Sequence, residues 1–197
     1  MNLKRACENM LEERIIYFES GGKHNTETTL NLVKERAEKL SIRNIILASI
    51  TGFSAQKALE ILKDSNAKLT VVSIRRGPGF PEDLRQRLKH GGHNFCYASD
   101  VKYEFPEEVQ KTLWRFSEGI KVCVEIVLIA TDVGYIQPGE EVIAVAGTGM
   151  LGYEKGGGLD TAIVMEAIKS RDFLQLETIF GMKEKRRKIR EIICKPR

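Results

Sequence analysis

Long hydrophobic runs are missing from this sequence of 197 residues. No apolar stretch approaches the roughly 20 residues that are needed to cross a bilayer. The first residues, MNLKRACENMLEER, place acids where a secretory signal would need an apolar segment. These absences predict a protein that has no membrane association and works in the cytoplasm.

Cysteine is scarce and scattered along the chain. The four cysteines, Cys7, Cys96, Cys123 and Cys194, form no CxxC pair and have no histidine at a metal-ligand spacing. A metal site is therefore not expected, and in a reducing compartment the thiols are most simply packed as small apolar groups. A G-x-S-x-G motif, which would present a nucleophilic serine, is also absent.

The composition is that of an ordinary folded protein. Apolar residues make up 42% of the chain and charged residues 29%, which with this length predicts one domain over residues 1–197. The net charge is +4, and basic residues crowd a C-terminal extension at about residues 181–197. Aromatic residues do not interleave with these charges, so a solvated helix end or linker is favoured, and nucleic-acid binding by this segment is the weaker alternative.

Short β-like runs alternate with helical patterns. Strands are predicted at residues 15–18, 44–49, 68–74, 95–98, 142–146 and 161–168, and helices at residues 26–40, 54–62, 81–90, 106–116 and 121–132. This alternation predicts an α/β fold with three α/β/α layers and a mostly parallel sheet. The last two predicted strands lack a helix between them, so we expect that pair to be antiparallel.

Loops after strands are the places to look for a ligand in such a sheet. The loop Ser49-Ile50-Thr51-Gly52-Phe53-Ser54 follows a strong strand and opens a helix. Its hydroxyls, its glycine and the free N–H groups of a helix start suit a phosphate. The alternative, a plain turn in which Ser54 only caps the helix, is equally open on the local sequence.

A second loop is unusually rich in glycine. The run from Gly147 to Gly158 has six glycines in twelve residues and begins with the pattern G-x-G-x-x-G. A dinucleotide fingerprint would need a helix there, whereas a strand-like run follows, so that interpretation is rejected. Contact with a ligand is favoured over a long hairpin connection.

Two further places are weaker candidates. The loop from Ser20 to Thr26 does not match a P-loop, but it could bring Asn25 and Thr26 to a ligand or simply cap a helix. The helix at residues 121–132 is apolar nearly all round, and it carries Glu125 and Asp132. A buried carboxylate must be paired, hydrogen-bonded or protonated, so ligand contact and pairing with Lys121 both stay open.

Several of these segments carry a family likeness. The runs ASITGFSAQKALEIL and GYIQPGEEVIAVAGTGMLGYEKGGGLDTAIVMEA resemble the phosphate loop and the closing effector loop of the pyruvate kinase C-terminal domain. NTETTLNLVKERAEKL, KVCVEIVLIATDVG and IREIICKPR are similar to free-standing prokaryotic proteins of this type. The catalytic barrel of pyruvate kinase has no counterpart here, so that activity is not expected.

The resemblance implies a small phosphorylated ligand, with flavin mononucleotide (FMN) as the suspected cofactor. The alternative is a regulatory module that senses a sugar phosphate or a nucleotide, and a homo-oligomer is left open. The expected ligand residues are Thr51, Gly52, Phe53 and Ser54 at the phosphate, Gly147, Thr148 and Gly149 closing over it, and Asn25, Thr26, Glu125 and Asp132 at the sugar or ring end.

Overall fold

The computed structural model describes residues 12–74, 79–148, 157–173 and 189–197. Its strands are β1 (Ile16–Phe18), β2 (Asn44–Ala48), β3 (Lys68–Ser73), β4 (Asn94–Tyr97), β5 (Glu141–Ala146), β6 (Thr161–Glu166) and β7 (Ile189–Pro196). Its helices are α1 (Thr26–Leu40), α2 (Phe53–Ile61), α3 (Glu82–His90), α4 (Glu107–Trp114), α5 (Glu118–Asp132) and α6 (Ser170–Phe173), with 3-10 turns at Lys23–Asn25 and Ala98–Asp100.

The strands form one seven-stranded sheet in the order β1-β7-β6-β5-β2-β3-β4. Strand β6 runs antiparallel to both of its neighbours, and every other pairing is parallel. The predicted mostly parallel sheet and the antiparallel pairing of β5 with β6 are confirmed. A parallel return would have required a crossover connection, usually a helix.

Strand β7 was not identified from the sequence. The segment 181–197 was expected to be a solvated extension, but its last part, Ile189–Pro196, inserts between β1 and β6. It is parallel to β1 and antiparallel to β6. Cys194, the sixth residue of this strand, is fully buried, so these residues belong to the sheet.

Helices cover both faces of the sheet. On one face, α1, α2 and α3 pack buried side chains such as Leu30, Ala58 and Leu88 against β2, β3 and β5. On the other face lies α5, ten of whose fifteen residues are buried. The three-layer prediction is therefore confirmed, and both faces of the central strands are apolar, as expected for a covered parallel sheet.

Helix α5 begins three residues before the predicted position. Ser117 caps it, since its Oγ accepts a hydrogen bond from the backbone N–H of Ile120 at 3.0 Å. Gly119 allows this first turn to approach β6 closely, because a Cβ atom there would lie 2.1 Å from Thr161 Oγ1. This places the start of α5 at the edge of the sheet where β6 begins and where the parallel strands end.

None of the helices in the described part of the chain combines the length and the apolar content that crossing a membrane requires.

Candidate functional site

A cavity of about 890 Å³ opens at the carboxyl ends of the central strands. The loops after β2, β3 and β5 surround it together with α5, as expected for an open α/β sheet. Its size falls within the range of ordinary small-molecule sites. The side chains that matter for its chemistry are Lys23, Thr51, Phe53, Ser54, Tyr103, Glu118, Lys121, Glu125 and Thr148, and most of the remaining lining is apolar.

The loop after β2 forms one end of the cavity. Thr51, Phe53 and Ser54 all line it. Helix α2 begins at Phe53, and the N–H groups of a first helical turn have no intrahelical acceptor. Ser54 does not cap this helix; instead Ser49 Oγ accepts a hydrogen bond from the N–H of Ala55 at 3.3 Å. The hydroxyl of Ser54 is therefore not used for capping.

Gly52, within this loop, has a structural role and is not part of the cavity lining. Its φ of +86° is a left-handed conformation that favours glycine. A Cβ atom would lie 2.8 Å from Leu84 Cδ2 and 2.8 Å from Pro81 Cδ. Gly52 thus faces α3, and its lack of a side chain lets the start of α2 pack against that helix.

Lys23 is a cavity residue that sequence reasoning missed. Its ammonium lies 3.9 Å from the centre of the Phe53 ring, close enough for a cation–π contact. It forms no ion pair with any carboxylate among the described residues. The only sequence feature that could have indicated Lys23 was the pair of glycines before it. The loop does not match the spacing of a P-loop, so the motif gave no reason to single out this lysine.

The glycine-rich loop contributes its two ends to the cavity. Gly147 and Thr148 line it at one end of the loop, and Gly157 and Gly158 at the other, whereas Gly149 lies outside the described residues. A Cβ atom on Gly147 would lie 2.2 Å from the carbonyl oxygen of Gly158. The two ends of the loop therefore approach each other so closely that position 147 has no room for a side chain.

Asp160 fixes these loop ends, and it too was missed. Its side chain is fully buried. Oδ2 accepts hydrogen bonds from the N–H of Gly22 at 2.9 Å and the N–H of Thr148 at 3.0 Å, and Oδ1 accepts one from Thr161 Oγ1 at 2.9 Å. One carboxylate thus joins the loop before Lys23, the glycine-rich loop and the start of β6.

Asn25 and Thr26 do not line the cavity. The side-chain amide of Asn25 donates to the carbonyl of Ser20 at 2.7 Å. The hydroxyl of Thr26 donates to the carbonyl of Lys23 at 2.8 Å and accepts from the N–H of Leu159 at 3.0 Å. Both side chains therefore hold the loop that presents Lys23.

Glu125 lies in the cavity wall within a three-residue cluster. Lys121 Nζ contacts Glu125 Oε2 at 3.0 Å, and the Tyr103 hydroxyl donates to Glu125 Oε1 at 2.7 Å. Burial, and secondly the hydrogen bond to Glu125, raise the pKa of Tyr103, so this phenol stays protonated. The pairing with Lys121 that the sequence left open is present, and all three residues also line the cavity.

Comparison with known families shows to which family the chain belongs. The family model described as pyruvate kinase, alpha/beta domain, matches residues 27–165, which is more than half of the sequence. The chain belongs to this family. Within this pyruvate kinase alpha/beta domain, the matched region contains β2 to β5 and most of β6, most of α1 and all of α2 to α5, the loop at Thr51 and Asp160. Strand β1, Lys23 and β7 lie outside it.

Asp132 is the last residue of α5, seven residues after Glu125. Its carboxylate accepts hydrogen bonds from the backbone N–H of Ser170 at 3.1 Å and from the hydroxyl of the same residue. It does not line the cavity. Asp132 and Glu125 share a face of the helix, but only Glu125 reaches the end where the strands terminate.

Proposed function

We propose that this pyruvate kinase alpha/beta domain binds a phosphorylated small molecule in the cavity, with FMN as the best candidate. The observation that carries the proposal is the end of the cavity formed by Lys23 and the start of α2. A helix N-terminus attracts anions through its free N–H groups and its dipole. The ammonium of Lys23 lies over the ring of Phe53, the first residue of this helix, and has no carboxylate partner among the described residues.

The apolar part of the cavity wall favours an aromatic ring system over a sugar. Ile50, Val72, Val122, Ile126 and Ile129 all line the cavity. Apolar walls stabilise an aromatic ring system by removing its surface from water, whereas the hydroxyls of a sugar would lose hydrogen bonds there. A flavin with a terminal phosphate combines an anion with a large flat ring, and it therefore matches both parts of the cavity.

A titration with two ligands tests the proposal. FMN and riboflavin share the same ring, and riboflavin lacks the phosphate. Trp114 is the only tryptophan of the chain, and its ring lies 5.9 Å from Nζ of the cavity residue Lys121. Flavin binding should quench its fluorescence, and protein freed of excess FMN should keep the visible flavin absorbance. We expect FMN to bind about tenfold or more tighter than riboflavin, because a charged contact contributes about 1.5 kcal/mol or more.

A matched pair of variants assigns the phosphate end. K23Q should weaken FMN binding by about tenfold and leave riboflavin binding unchanged, because the lost charge faces only the phosphate. K89Q removes an exposed lysine at the end of α3 that is not a cavity residue, and it should change neither. If neither flavin binds, the FMN proposal is wrong, and calorimetry with sugar phosphates and nucleotides would then test the sensor alternative.

A further inference from the structure

The cluster of Tyr103, Lys121 and Glu125 keeps hydrogen-bonding capacity that its internal contacts do not use. A carboxylate offers about four lone-pair sites, and Glu125 fills two of them, one with each partner. An ammonium has three N–H donors, and Lys121 directs one of them to Glu125. The cluster therefore still holds acceptors on Glu125 and donors on Lys121 side by side.

The two side chains that carry this remaining capacity lie in the cavity wall. The side chains of Lys121 and Glu125 are only 15% and 20% exposed, and both line the cavity. Val122 and Ile126, their neighbours on α5, are apolar and line the same wall. A ligand that covers this wall without matching the cluster would leave partly buried polar groups without partners, which is costly.

The charges of the cluster restrict what can match it. Lys121 and Glu125 neutralise each other, so the cluster does not favour a second anion. Its free groups are an acceptor and a donor held next to each other. The complementary ligand edge is neutral and places a donor next to an acceptor, as a ring N–H beside a ring carbonyl does in flavins and in uracil. Cytosine has a ring carbonyl but no such N–H.

We infer that Glu125 and Lys121, oriented by Tyr103, form a second subsite that selects phosphorylated compounds whose ring carries an N–H beside a carbonyl oxygen. The inference rests on the proposed function, because it takes the cavity to bind a phosphorylated ring compound. Glu125 accepts the ring N–H, and Lys121 donates to the carbonyl oxygen. The phosphate end attracts the ligand, and this subsite discriminates among rings.

Two ligand pairs test the inference on the unmodified protein. UMP and CMP have the same phosphate and sugar and differ in the ring edge. FMN and 3-methyl-FMN differ only in the replacement of the ring N–H by N–CH₃. We expect UMP and FMN each to bind about tenfold or more tighter than its partner, as for a hydrogen bond to a charged group. Calorimetry measures all four dissociation constants without a variant that could fail to fold.

A pair of carboxylate variants separates hydrogen bonding from size. E125A should bring both affinity ratios close to one, whereas E108A removes an exposed glutamate of α4 that does not line the cavity and should preserve them. Thermal unfolding checks that both variants are folded. A ratio for FMN over 3-methyl-FMN that persists in E125A would overturn the inference, because the methyl group would then be excluded by its size alone.

The outcomes also separate the two proposals. If FMN binds but neither ligand pair is discriminated, the subsite is refuted and FMN binding stands. If UMP is preferred over CMP while FMN does not bind, the subsite stands and FMN binding is refuted. If none of the four ligands binds, both are wrong.

Discussion

The buried carboxylate of Asp160 gives the sharpest test of how the cavity loops are held. In D160N, the amide can keep its oxygen at the Oδ2 position, where it still accepts from the N–H groups of Gly22 and Thr148. Its NH₂ group then donates to the Thr161 hydroxyl, which can rotate to accept. The two hydrogen bonds at the Oδ2 position lose the charge of their acceptor, and the second contact of the Thr148 N–H, with Oδ1 at 3.1 Å, loses its acceptor. Unfolding should therefore become easier by about 1–3 kcal/mol.

The alanine variant should be more damaging than the asparagine variant. D160A leaves two N–H groups, those of Gly22 and Thr148, without their carboxylate acceptor. Each unsatisfied buried group costs about 1–3 kcal/mol, so the expected loss is about 2–6 kcal/mol. Urea unfolding at equilibrium measures both values, and amide hydrogen exchange should report faster exchange at Gly22 and Thr148 in D160A than in the unmodified protein.

An exposed aspartate supplies the control for this test. Asp64 lies on the surface after α2, so D64N should change the free energy of unfolding by less than about 0.5 kcal/mol. Losses below that value in both Asp160 variants would refute the reasoning. So would a loss in D160N that equals or exceeds the loss in D160A, because the retained acceptor would then contribute nothing.

Three other predictions concern residues outside the ligand contacts. G52A should destabilise the protein by about 2–4 kcal/mol in urea unfolding, because the new methyl group would clash with Leu84 and Pro81. G134A is the control: its φ is +85° and no atom lies near its Cβ position, so it should cost only the backbone strain of about 1–2 kcal/mol. Equal losses in the two variants would refute the clash at Gly52. Burial, and secondly the charge of Lys68, lower the pKa of His93 below its ordinary 6.5. The stability that neutral His93 contributes is therefore present above pH 6.5 and lost as the pH falls towards its folded-state pKa, so the urea midpoint of H93Q should vary less with pH than that of the unmodified protein; identical pH profiles would contradict this. A C7S protein should react with Ellman's reagent at about pH 8 only after unfolding, because burial raises the pKa of each described thiol; rapid reaction of the native protein would disprove it. These thiols are Cys96, Cys123 and Cys194.

The elements that the sequence predicted well are those with a strong local pattern. Helix α1 and the central strands have clear apolar periodicity, and the structure places them within a few residues of the predicted bounds. Strand β7 was missed because its short apolar run, Ile192–Cys194, follows a dense basic segment whose charge dominates the local composition. Its place in the sheet depends on pairing with β1 and β6, which are distant along the chain.

The candidate site was predictable where it follows directly from strand ends. Thr51, Ser54 and Thr148 come after parallel strands, and such loops meet at one edge of the sheet. Asp132 shows the limit of the helical pattern. It lies seven residues after Glu125, a rise of about 10 Å along the helix axis, and this distance takes it to the opposite end of the layer.

The sequence alone determined the fold class and the end of the sheet at which the candidate cavity lies, because apolar periodicity and strand ends are local features. Only the tertiary structure decided which polar groups meet there. Lys23 reaches the Phe53 ring, and Tyr103 reaches Glu125, through loops that are far apart in sequence. Asp160 has a partner 138 residues away. Such contacts depend on how complete layers pack together, and no local pattern encodes them.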